Sequence, residues 1–218
     1  MDPLCAFFTA HLTEIYFFYG LAFFVTGIVV GLEASRHSDL GLARALPFLA
    51  AFGLLHGGHE WIEMFERMAA GPVAAVPRLL RLTVLIVSFI PLLEFGTRLG
   101  AMTDGKIWSV ARWILLTIFV LGTVVIWLTW GPEGWRTSIP ALDAWCRYSL
   151  AVPGSVLAAI GLYRYGSRVK KGPRAVPCEL QVVALAFLVY GVPGQVFVGA
   201  SVLPPSTIIS SDLFLKVL

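Results

Sequence analysis

Apolar runs of about twenty residues follow one another along this chain, which is the length a helix needs to cross roughly 30 Å of hydrocarbon. At that depth every backbone N–H and C=O must be satisfied within the protein, so only helices and closed barrels are admissible. A barrel strand alternates apolar and polar over about ten residues, and these runs do not alternate. Composition agrees: hydrophobic residues make up 58% of the chain and charged residues 13%, where a soluble domain carries about 25% charged. Mean hydropathy is +0.82. The chain is therefore expected to be an all-α integral membrane protein.

Six full transmembrane helices are predicted, at about 14–32, 43–64, 79–97, 108–130, 142–165 and 179–201, with 212–218 as the start of a seventh. Seven residues at about 1.5 Å rise each cannot cross a bilayer, so the natural protein is expected to continue past Leu218. The amino-terminal stretch lacks a basic start and contains Asp2 and His11, so the first span is expected to insert uncleaved. Lysine and arginine set the orientation. Arg36, Arg44, Arg98, Lys106, Arg164, Arg168, Lys170, Lys171 and Arg174 fall on one side, and Arg67, Arg78, Arg81 and Arg136 on the other. The richer side is read as cytoplasmic, which puts the amino terminus outside.

One stretch breaks the apolar pattern. His56-Gly57-Gly58-His59-Glu60-Trp61-Ile62-Glu63 places two histidines and two carboxylates inside the second span. Charged groups there cost several kcal/mol each, so they usually face the bundle interior and mark a function. On a helix, His56, His59, Glu60 and Glu63 stand at i, i+3, i+4 and i+7 and share one face. This face is the candidate site for a proton, a metal ion or a small polar ligand, with His56, His59 and Glu63 as the candidate metal ligands. Arg147 lies at a depth similar to Glu63 and is the candidate cross-helix partner. His11, Glu14 and Cys5 are further donors near the start of span one. The alternative reading is that the stripe is structural, its groups satisfying one another and Arg147 or Arg81 as interhelical polar contacts.

Asp143 and Arg147 at i, i+4 form a helix-supporting pair. Glu94 and Glu33 reach the interface, within range of Arg98, Arg36 or Arg112. Tyr16, Tyr19 and the tryptophans, among them Trp61, Trp108, Trp130, Trp135 and Trp145, are assigned to interfacial belts. Pro47, Pro91, Pro153 and Pro193 lie inside apolar runs as expected kinks. Val152-Pro153-Gly154 and Val192-Pro193-Gly194 repeat one tripeptide in spans five and six, and paired breaks of this kind can mark a binding site in transporters. Cys5, Cys146 and Cys178 have neither zinc nor disulfide spacing. The chain has no P-loop, GxSxG or GxGxxG and no mid-span lysine for a retinal Schiff base. Catalysis by this chain is not expected, and no motif points to nucleic acid.

Phe18–Gly27 (FYGLAFFVTG), Leu32–Arg36 (LEASR), Leu42–Trp61 (LARALPFLAAFGLLHGGHEW) and Val152–Gly161 (VPGSVLAAIG) resemble one family. It is the seven-helix membrane input region found ahead of bacterial sensor histidine kinases and cyclic-nucleotide signalling proteins. The resemblance extends over nearly the whole chain, including Asp212–Lys216, and His56–Trp61 is its most specific part. It carries over no functional residue. It implies a sensory domain in the bacterial inner membrane, working as a homodimer and relaying a stimulus to a cytoplasmic signalling module beyond Leu218. The rival expectations are a subunit of a redox or photosynthetic complex binding quinone, haem or pigment, and a small transporter.

Overall fold

The computed structural model describes residues 7, 10–36, 41–69, 75–169, 177–196 and 201–204. The predicted start of a seventh helix, and with it Lys216, lies outside the described residues, as do Cys5 and Lys170, Lys171 and Arg174. Among the described residues every regular element is a helix. Helix α1 is Leu12–Arg36, α2 is Leu46–Met68, α3 is Ala75–Asp104 and α4 is Ile107–Trp130. Then come α5, Trp135–Cys146, a π-helical turn, Arg147–Ala151, and α6, Val152–Val169, in unbroken succession. Helix α7 is Pro177–Gly191 and the short α8 is Pro193–Val196. Gly105, at φ 73°, makes the tight turn from α3 to α4, a backbone conformation that glycine adopts without strain.

Four of these helices are long and apolar enough to cross a membrane: Leu12–Arg36, Val76–Met102, Ile107–Trp130 and Glu179–Val196. Their outer faces carry large exposed apolar side chains, such as Phe18 on α1, Trp113, Leu121 and Leu128 on α4, and Leu185 on α7. A face of that kind needs a partner, and hydrocarbon suits it. The predicted second and fifth spans correspond to α2 and to the α5–α6 rod, and neither is in this apolar class. On α2 the reason lies in the side chains: His56, His59, Glu60 and Glu63 lower its mean hydropathy while facing inward. The rod is divided by the π-helical turn into α5, of 12 residues, and α6, of 18.

Helix α3 is the axis of the bundle. Leu85, Phe89, Leu92, Leu93, Phe95 and Leu99 along it are fully buried and pack against Leu150, Ala151, Ala158 and Leu162 of the rod. Helix α2 lies on α3, α1 lies on α2, and α7 lies on α6. The α1–α2 seam is a glycine crossing. A methyl group at Gly57 would sit 2.6 Å from the Gly20 carbonyl oxygen, and one at Gly53 would sit 2.8 Å from that of Phe23. Gly58, by contrast, has open space around its α-carbon. So of the two central glycines, Gly57 permits the close backbone approach expected in membrane bundles, and Gly58 does not serve that purpose.

Pro47 is in the first turn of α2, where its missing N–H has no helical partner to lose, so it starts the helix and does not kink it. Trp108 is buried against Gly100, and Trp145 lies against Gly122 and donates its indole N–H to the Phe119 carbonyl at 3.0 Å. These two tryptophans are packing residues in helix seams, because glycine opposite each ring leaves room for an indole. Pro91, in contrast, lies inside α3 as predicted.

Candidate functional site

The predicted face of α2 points into the bundle. His56, His59 and Glu60 are all buried, at 1%, 0% and 5% exposure. Around His56 stand the rings of Phe23 from α1, Phe52 from α2, Phe89 from α3 and Tyr190 from α7, with centroids 4.8 to 5.6 Å away. Its polar contacts form a directed chain. The Ser88 hydroxyl donates to the Leu85 carbonyl at 2.7 Å, so its oxygen is left to accept from His56 Nδ1–H at 3.3 Å. A neutral ring then accepts at Nε2, and the Tyr190 hydroxyl, 3.0 Å away, is the donor. Glu60 Oε1 lies 3.4 Å from the same nitrogen.

His59 is held similarly. Its Nδ1 is 3.3 Å from the Arg81 carbonyl, which can only accept, so Nδ1 carries the proton. Its Nε2 is buried without a hydrogen bond, and the nearest carboxylate oxygen, Glu63 Oε2, is 3.7 Å away. The two imidazoles stack with centroids 5.7 Å apart.

Glu63 joins these rings to an ionic network. Its Oε1 accepts from the Tyr16 hydroxyl and from Arg67, each at 2.9 Å. Its Oε2 accepts from Arg81 at 3.2 Å. Arg81 also reaches Glu66 at 3.3 Å and Asp143 at 3.0 Å. Asp143 accepts from Arg147 at 2.7 Å, and Arg147 donates in turn to the Gln195 side-chain oxygen at 2.8 Å. Tyr16 on α1 is thus linked through Glu63 on α2, Arg81 on α3 and Asp143 on α5 to Gln195 on α8. Such charges stay ionised away from water only while paired and hydrogen-bonded.

The two proline-glycine interruptions meet at this network. The π-helical turn ends just before Pro153, whose ring cannot sit against an unmodified preceding helical turn. Helix α7 ends at Gly191, next to Pro193. A methyl group at Gly191 would collide with Ser155, so the two breaks lie against each other. Arg147–Gln195 and a 3.4 Å contact from the Tyr148 hydroxyl to the Val196 carbonyl bridge them.

The structure sorts the predicted site residues. It brings His56, His59, Glu60 and Glu63 together on one buried face, and it pairs Asp143 with Arg147 and Glu94 with Arg98 and Arg112. Arg147 bonds Asp143 and Gln195, and the guanidinium on Glu63 is that of Arg81. The direct partner of Glu63 is therefore Arg81 and not the expected Arg147, whose guanidinium is taken by Asp143 four residues before it on the same rod. A metal ion at His56, His59 and Glu63 does not fit: among the described residues no three His, Cys, Asp or Glu side chains are disposed to hold one. Both His56 nitrogens are engaged, and the Glu63 oxygens are turned to Tyr16, Arg67 and Arg81. His11 and Glu14 pair with each other across 3.9 Å at the exposed start of α1.

Sequence reasoning missed Ser88, Tyr190 and Gln195, and assigned Tyr16 to a belt. Ser88 and Gln195 were detectable as polar residues inside apolar runs; nothing in the sequence distinguishes Tyr190 from an interfacial tyrosine. No family model, no curated protein and no solved structure matches this chain. The membrane class therefore rests on the four apolar helices, and the site rests on its geometry.

Proposed function

We propose that this chain is the membrane-embedded sensory domain of a bacterial signal-transduction protein, relaying a stimulus sensed inside the helix bundle to a cytoplasmic signalling module. The reading includes a multi-pass inner-membrane topology of six full spans and the start of a seventh, with the amino terminus outside, and a homodimeric working state. Helix α2, with 23 residues, is about 34 Å long and long enough to span, and the α5–α6 rod is longer.

The observation that carries the reading is the ionic chain from Glu63 through Arg81 and Asp143 to Arg147 and Gln195. It ties the α1–α2 pair to both helix interruptions. A paired network in a medium of low dielectric has few good arrangements, so a proton or small polar ligand that alters one carboxylate shifts the balance between them. Interrupted helices next to it are places where backbone angles can change without breaking a regular helix.

The test is a distance measurement in nanodiscs, with spin labels on the exposed residues Met68 at the end of α2 and Val192 after α7. Two populations whose ratio changes with pH in the wild type, and not in Glu63→Gln with Asp143→Asn, support the reading. One population under every condition overturns it. A small transporter is the second reading, favoured by the meeting of the two proline-glycine breaks; solute flux in proteoliposomes carrying the chain alone would establish it.

A further inference from the structure

Between α1, α2 and α7 runs a groove of about 240 Å³. Its rim is made by exposed residues, Tyr19, Ala22 and Thr26 of α1 and Val183 and Ala186 of α7, and its floor by Phe23, Phe52, Phe187 and Tyr190. Both flanking helices belong to the apolar class that crosses a membrane. Among the described residues no charged side chain lines the groove and nothing covers its mouth.

Its polar atoms are few. Thr26 spends its hydroxyl proton on the Ala22 carbonyl of its own helix. Tyr190 spends its proton on His56 Nε2 and keeps free lone pairs. The Tyr19 hydroxyl makes no hydrogen bond within the described residues, which leaves it a donor. The groove therefore offers apolar walls, one hydroxyl donor and one hydroxyl acceptor. Among the described residues no cationic side chain lines the groove to pair an anionic head beside these tyrosines. Three of the floor rings, Phe23, Phe52 and Tyr190, also enclose His56.

We propose that this groove binds a neutral amphiphile drawn from the bilayer, with a hydroxyl or carbonyl head at Tyr19 and Tyr190 and an aliphatic body along α1 and α7. An ordinary phospholipid does not fit the chemistry, because its charged head belongs at the membrane surface and no cationic side chain lines the groove to hold its phosphate. A pure hydrocarbon would leave the Tyr19 donor unpaired, at a cost comparable to a lost hydrogen bond. Occupancy would press on the same rings that surround His56. Binding itself does not require the signalling reading: a groove that binds without moving the spin-label distances would leave this proposal standing and count against the other.

The probe is a photoreactive long-chain alcohol with a mid-chain diazirine, applied to the intact chain in nanodiscs, with the labelled peptides mapped by mass spectrometry. Label is expected on α1 and α7 at the groove, displaced by unlabelled hexadecanol and not by hexadecane or palmitate. Ala186→Trp, at an exposed position that fills the groove without touching the core, is expected to lower labelling at least about tenfold, the effect of about 1.4 kcal/mol. Tyr19→Phe, which removes the donor and no internal hydrogen bond, is expected to weaken displacement by hexadecanol about two- to tenfold. Label spread equally over the outer face of α4, or displacement by hexadecane as effective as by hexadecanol, would reduce the groove to ordinary lipid contact and overturn the proposal. Labelling unchanged in Ala186→Trp would do the same.

Discussion

Arg81 on α3 reaches Asp143 on α5 across 3.0 Å and, on α2, Glu63 across 3.2 Å and Glu66 across 3.3 Å, so one guanidinium holds three carboxylates from two different helices. Arg147, the cation first expected on Glu63, instead backs Asp143 from within its own rod. The consequence is that α2 and the α5–α6 rod are tied together through a side chain of the central helix.

Removing Asp143 takes a carboxylate from two inward-facing guanidiniums at once, leaving Arg147 only the neutral Gln195 oxygen and Arg81 only Glu63 and Glu66. Asp143→Ala is expected to lower the unfolding free energy in detergent by about 3–5 kcal/mol, the usual cost of breaking a buried pair. Arg81→Ala is expected to fall in the same range. The double variant should cost less than the two together, since each partner is already lost in the other single variant. Strict additivity would show that the two residues do not act as a pair.

The adjacent glycines of α2 make a built-in control. Gly57→Ala forces a methyl group against the Gly20 carbonyl and is expected to destabilise by about 1–3 kcal/mol. Gly58→Ala, with open space around it, is expected to stabilise by about 0.5–1 kcal/mol through helix propensity. Thermal unfolding of the two single variants decides the matter. Equal shifts would contradict the seam.

Both histidines are expected to carry their proton on Nδ1 when neutral, because Ser88 and the Arg81 carbonyl face that nitrogen as acceptors. Nitrogen-15 spectra of the imidazoles report the tautomer directly. Ser88→Ala is expected to change the His56 signal and leave that of His59 nearly unmoved. A proton on Nε2 of His59 would overturn its assignment.

The orientation is open to labelling. With Cys5 and Cys178 replaced by serine, Lys106→Cys between α3 and α4 is expected to react from the cytoplasmic side, and Pro132→Cys after α4 from outside. Both positions are exposed. Reversed labelling would invert the topology.

The sequence by itself determined the helical membrane class and the inward face of His56, His59, Glu60 and Glu63. Those properties depend on composition and on a spacing of three and four residues along one helix, which are local. It also marked both helix interruptions, since proline and glycine act on their own backbone. The tertiary structure alone decided which groups meet. Ser88 follows His56 by 32 positions and Tyr190 by 134, and no periodicity reports a contact between residues so far apart. For the same reason the choice between Arg81 and Arg147 as the partner of Glu63 depended on how α3 and the rod pack. The roles of Gly57 and Gly58 diverged likewise: the two are identical in the chain, and only the neighbouring helix distinguishes them.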